Sequence, residues 1–232
     1  MRKVHPQRIF LTLLLALTGC RANTTPAPQP TPQPAASTIA SPAEPAPTDP
    51  RPILVCFGDS LTAGAGTDPG QSYPDYLQAA LDRRHLHYRV DNQGISGNTT
   101  KDGLQRLPEV LALHPAVVLV EFGGNDGLRG LPIADTRANL AQIVATLQHS
   151  GAKVALAGIT LPPDYGPDYI RQFNQTYTIL AKKYRVPMLP FLLKDVYGVP
   201  GMMQPDRTHA TAAGNQIVAR NLLPLILPLL KK

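Results

Sequence analysis

Ile53-Leu54-Val55-Cys56-Phe57-Gly58-Asp59-Ser60-Leu61 is the stretch on which the reading of this 232-residue chain turns. Five apolar residues in succession, without alternation, describe a strand buried on both faces. Glycine, aspartate and serine then interrupt the run, and the chain passes from strand to helix at Ser60. Outward from this point, further candidate strands run over 88–92, 117–122, 154–159 and, more weakly, 188–191. Helical periodicity fills the gaps. Leu140, Ile143, Val144 and Leu147 fall at i, i+3, i+4 and i+7 before Gly151, and Ile170, Phe173, Tyr177, Leu180, Ala181 and Tyr184 share one face of 168–184. Thr211 opens a last helix whose apolar end contains Pro224 and Pro228, too broken for a membrane span and expected to lie on the core. Strands alternating with helices predict an α/β fold: a parallel sheet covered on both faces.

Upstream of Ile53 the composition changes. Ten of the 25 prolines lie between Ala22 and Pro52, where almost nothing large and apolar is available for a core. Residues 21–52 therefore read as a Pro-rich spacer of polyproline II character, reaching up to roughly 90 Å at ~3.1 Å per residue. Before it, Arg2, Lys3 and Arg8 precede an apolar run from Ile9 to Leu17, the layout of an export signal and too short to cross a bilayer. The run closes in Leu17-Thr18-Gly19-Cys20, which resembles the bacterial lipobox. Residues 1–20 are thus expected to direct export, with Cys20 lipidated and the following domain, 53–232, held at a membrane of the cell envelope on the periplasmic side.

The net charge of +6 does not indicate a nucleic-acid partner: Lys and Arg are scattered and Trp is absent. With only Cys20 and Cys56, no internal disulfide is expected once Cys20 is modified, and Cys56 reads as a buried small hydrophobe. No histidine pair has metal-ligand spacing, so no metal is expected. The absence of heptads favours a monomer.

In a parallel α/β sheet ligands bind beyond the carboxyl ends of the strands. Those ends carry Gly58-Asp59-Ser60, Gly94-Ile95-Ser96-Gly97-Asn98-Thr99-Thr100 and Gly123-Gly124-Asn125-Asp126-Gly127, while Asp206-Arg207-Thr208-His209 stands ahead of the last helix. Together they suit acyl transfer. Ser60, at the start of a helix, needs a base to take its proton, a task for His209. Asp206 can hold the other imidazole nitrogen. The Ser60 and Gly97 amides with the Asn125 side-chain amide offer three donors to an oxyanion. Asp59 and Asp126 are expected to tie down backbone, and Ser96 and Thr99 to serve as turn and cap residues.

These blocks, in this order, resemble the SGNH/GDSL hydrolase family. GDSLTAG at 58–64, ISGNTT at 95–100, EFGGNDGLRG at 121–130 and the LP-x-x-YG around Tyr165 are similar to its branch of acyl-CoA thioesterase, lysophospholipase and arylesterase enzymes. The resemblance spans about 53–220. It implies a flavodoxin-like three-layer α/β/α sandwich without cofactor, with Ser60 as nucleophile, Gly97 and Asn125 completing the oxyanion hole, Asp206 and His209 as relay, and Tyr165-Gly166 as a wall of the acyl pocket. The substrate implied is an acyl ester or thioester. An envelope carbohydrate or peptidoglycan O-acetylesterase is the alternative enzyme, and a non-catalytic envelope-binding module the alternative of another class. Two positions depart from the family: Arg207 stands where glycine is usual, and Ala210 where proline is usual, which predicts a less rigid histidine turn.

Overall fold

The computed structural model describes residues 49–230, so the signal segment, Cys20 and most of the expected spacer lie outside the described residues. Strands β1 (Ile53–Gly58), β2 (Arg89–Gly94), β3 (Val117–Glu121), β4 (Lys153–Ala157) and β5 (Met188–Leu189) form one sheet in the order β2-β1-β3-β4-β5, with every neighbouring pair parallel. This is the flavodoxin-like strand order, whose switch point lies between β1 and β3.

The helices are α1 (Ser60–Ala63), α2 (Tyr73–Asp82), α3 (Thr100–Ala112), α4 (Gly124–Leu128), α5 (Ile133–His149), α6 (Pro167–Tyr184) and α7 (Ala212–Ile226). α2 packs with α7, while α3, α5 and α6 pack as neighbours, giving a helical layer on each face of the sheet. Both faces of the central strands are therefore dry. Leu54, Val55, Cys56 and Phe57 in β1 and Val118 and Leu119 in β3 are fully buried, which is why these strands read as continuous apolar runs. Edge strand β2, RVDNQG, is only partly covered and carries polar residues. Burial pushes the Cys56 thiol far up, so it packs as a hydrophobe.

The chain ends of the helices follow local chemistry. Ser72 with Asp75, and Thr99 with Asp102, form reciprocal capping boxes at α2 and α3. Thr211 caps α7 through the Gly214 amide. The boundaries differ from the sequence expectation in places: β4 stops at Ala157 and β5 is only two residues long.

Candidate active site

Ser60 begins α1, directly after β1. Asp59 caps this single turn, its Oδ1 accepting the Leu61 N–H at 3.0 Å. One turn sums too few peptide dipoles to act as the helix end the sequence suggested. Gly58 leaves no room for a side chain, since a Cβ there would strike Thr62 Oγ1 and the Glu121 carboxyl.

His209 arrives from the opposite end of the chain on a segment that doubles back. Met203 bridges Ala210, the Gln204 N–H donates to the His209 carbonyl at 2.9 Å, and the Thr211 N–H donates to the Met202 carbonyl at 2.9 Å. Gln204 Nε2 donates to the carbonyls of Ala65 (2.8 Å) and Ala210 (2.9 Å), tying this turn to the segment after α1. Ala210, where the family usually carries proline, is buried, and the Gln204 bond holds its carbonyl.

The result brings the three polar groups into line. His209 Nε2 lies 2.8 Å from Ser60 Oγ, and His209 Nδ1 lies 2.7 Å from Asp206 Oδ2. Asp206 Oδ1 accepts the Thr208 and His209 amides at 2.9 and 3.0 Å. Partial desolvation raises the Asp206 carboxyl, but the bonds from the His209 ring and the two amides outweigh it and hold the group at about 2. An ionised carboxylate only accepts, so Nδ1 carries the ring proton and Nε2 is left to accept from the serine hydroxyl.

Beyond β3, Gly123 adopts φ 118°, and a Cβ there would meet the Tyr177 hydroxyl, which itself donates to the Phe122 carbonyl at 2.9 Å. This left-handed step swings the chain into α4 and carries Asn125 to the β1–β3 crevice. Asn125 Nδ2 donates to the Asn98 carbonyl at 2.9 Å and to Asp59 Oδ2 at 3.2 Å. Gly97, at φ 83°, lies in the adjoining turn, and its carbonyl accepts from Arg129 Nη2 at 2.9 Å. Asp126 holds Thr100 through its amide at 2.9 Å, the backbone-tying role expected of it.

A cavity of about 140 Å³ opens above Ser60, His209 and Asn125, walled by Leu128, Ile159, Leu161, Phe191, Leu193 and Tyr197. Tyr165 and Gly166 do not line this cavity. The Tyr165 hydroxyl instead donates to the Leu128 carbonyl at 2.8 Å, bracing that wall, and Leu161 and Pro162 supply the lining from the same loop. Phe191, Leu193 and Tyr197 are not evident from the sequence motifs. Their one signal is position: they come directly after β5, at the same carboxyl edge of the sheet as the polar blocks.

Glu121 likewise gives little sign of itself in the sequence, lying at the end of an apolar run. It is fully buried, and its Oε2 accepts from the Thr62 hydroxyl at 2.7 Å and from the Asp59 N–H at 3.3 Å. Burial pushes both Asp59 and Glu121 above the ordinary carboxylate range, and for Glu121 the neighbouring Asp59 charge adds to it. A carboxyl whose folded-state value is raised protonates in the native state first, so it opposes folding at neutral pH and ceases to do so as pH falls through that raised value. Asp59→Asn keeps the cap acceptor for Leu61 but loses the acceptor for Asn125 Nδ2, so its Tm relative to wild type is expected to be more favourable at pH 8 than at pH 4. Thermal melts of both proteins across this range check it; a gain that grows toward low pH would refute the assignment.

Residues 56–217 match the GDSL-like Lipase/Acylhydrolase family, and the chain belongs to that family. It is a serine ester hydrolase of the α/β, three-layer type. Esterase TesA of Pseudomonas aeruginosa is 44% identical over 178 residues, covering 76% of this chain and 89% of that protein. Thioesterase 1/protease 1/lysophospholipase L1 of Escherichia coli K12 is 39% identical over 178 residues, covering 75% and 84%. The crystal structure of TesA superposes with a TM-score of 0.75 at 44% identity, covering 77% of this chain and 99% of that one.

Proposed function

We propose that the protein hydrolyses acyl esters and thioesters through an acyl-enzyme on Ser60. The observation that carries this reading is the unbroken hydrogen-bonded line from Ser60 through His209 to Asp206 at the floor of an apolar cavity. Ser60 Oγ attacks the carbonyl carbon while His209 Nε2 takes its proton, and Asp206 stabilises the imidazolium. The carbonyl oxygen becomes an oxyanion facing the Ser60 and Gly97 amides and the Asn125 side chain. Collapse expels the alcohol or thiol, which leaves with the proton from His209. Water, deprotonated by the same nitrogen, then attacks the acyl carbon and releases the carboxylic acid and free Ser60.

The apolar walls favour an acyl chain over a sugar, and the thioesterase and lysophospholipase names of the Escherichia coli relative agree with that choice. Hydrolysis of p-nitrophenyl esters from C2 to C16 tests it. Preference for chains longer than acetyl supports an acyl hydrolase, whereas turnover of acetate alone would shift the reading to an O-acetylesterase. Anchoring belongs to the same proposal: the n-region, apolar run and Leu17-Thr18-Gly19-Cys20 support export followed by lipidation of Cys20. Cys20→Ser is expected to move the protein from the membrane to the soluble fraction, and retention at the membrane would end this part of the reading.

A further inference from the structure

We propose that Arg207 is a specificity residue that binds an anionic group, phosphate or carboxylate, carried on the leaving-group side of the substrate. The inference rests on the ester-hydrolase mechanism above and adds the chemistry of the leaving group to it. Arg207 lines the same cavity as Ser60 and His209, and among the described residues it is the only lysine or arginine that does so. Its side chain is exposed, and among the described residues its guanidinium has no hydrogen-bond or ion-pair partner. Asp206 beside it is already committed: both carboxylate oxygens are taken up by the His209 ring and the Thr208 and His209 amides. Asp59, the acidic residue on the lining, is buried and bonded to Leu61 and Asn125.

Direction follows from the chemistry. The carbonyl oxygen of a bound ester faces Asn125 and the 95–98 turn. The leaving oxygen or sulfur must instead lie at His209 Nε2 to collect its proton. Whatever that atom carries therefore runs along the 206–209 turn, where the guanidinium waits. The backbone points the same way. Arg207 sits at φ 56°, in the left-handed region that suits glycine, immediately after a turn closed by its own N–H to the Gln204 carbonyl at 3.0 Å. Glycine would occupy this position without strain, and arginine is present in spite of it. A guanidinium offers a bidentate fork that fits phosphate and carboxylate alike.

The test uses the full chain and matched substrates that share one decanoyl group. Decanoyl-coenzyme A is compared with the neutral N-acetylcysteamine thioester, and decanoyl-lysophosphatidylglycerol with neutral monodecanoylglycerol. The readout is the ratio of kcat/KM, charged over neutral, in wild type, Arg207→Gln, Arg207→Gly and Arg207→Lys. Arg207→Gln and Arg207→Gly are expected to lower the ratio about tenfold or more, mainly through KM, with Arg207→Lys in between. Raising the salt should lower the wild-type ratio and leave that of Arg207→Gln unmoved. A fall confined to one pair identifies the source of the anion as the coenzyme or the phospholipid headgroup. A ratio that stays within twofold in both pairs, or a ratio restored by Arg207→Gly, overturns the assignment to the guanidinium. A wild type inactive on all four substrates would overturn the ester-hydrolase reading, and this inference with it.

Discussion

Ser60→Ala is expected to cut hydrolysis of every p-nitrophenyl ester from C2 to C16 by about 10⁶-fold in kcat. The expectation follows from the position of Oγ, which lies 2.8 Å from His209 Nε2. No second hydroxyl among the described residues meets His209 in this way: Thr62, on the same helix, gives its hydroxyl to the Glu121 carboxyl. Alanine removes the attacking atom and leaves the relay and the oxyanion donors in place. A small acceleration over the uncatalysed reaction survives, from binding and oxyanion stabilisation. The substitution should leave the fold intact, because Ser60 Oγ is paired only with His209 and the cap of α1 is Asp59. A folded Ser60→Ala protein that keeps more than a hundredth of wild-type kcat would move the nucleophile elsewhere.

Asn125→Ala carries the second largest effect, about 10²–10³-fold in kcat with KM little changed, because an oxyanion donor acts on the transition state and not on the bound ester. In the resting site both Nδ2 hydrogens are engaged, with the Asn98 carbonyl at 2.9 Å and with Asp59 Oδ2 at 3.2 Å. The longer bond, to Asp59, is the weaker one and is the one a developing oxyanion displaces. Asn125→Asp removes the donor while keeping the size and is expected to fall at least as far. Steady-state kinetics on one mid-chain ester decide the matter; a rise in KM with kcat preserved would place Asn125 in substrate binding instead.

Much of this arrangement is legible in the amino-acid sequence. Strands β1 and β3 announce themselves because helices cover both their faces, so apolar residues run without a break. The polar blocks are legible for a related reason: in a dry parallel sheet, serine and asparagine stand out where an apolar run ends. Helices α2 and α3 are less visible. Each is short, and α3 carries Pro108 within a stretch whose buried residues, Thr100, Gly103, Leu107 and Val110, include only two large apolar ones. Glu121 is hidden because its partner, Asp59, lies 62 residues away in sequence, and pairing across neighbouring strands leaves no local pattern. The cavity walls from Phe191 to Tyr197 come after a two-residue strand too brief to flag its own end. The motif around Tyr165 suggests a cavity wall, yet the chain uses that ring and hydroxyl one step behind the wall, against Tyr169 and the Leu128 carbonyl.

The Ser60–His209 contact spans 149 residues, nearly the length of the domain. Its consequence concerns biosynthesis more than chemistry. When Ser60 leaves the ribosome, His209 has not yet been made; at about 5–20 residues per second it arrives roughly 7–30 s later. Nor does the base act until residues 202–211 have folded back and Gln204 has found the Ala65 carbonyl. An unfolded chain is therefore a latent hydrolase. Turnover begins only when residues 202–211 have docked, so each active molecule reports that this turn has closed.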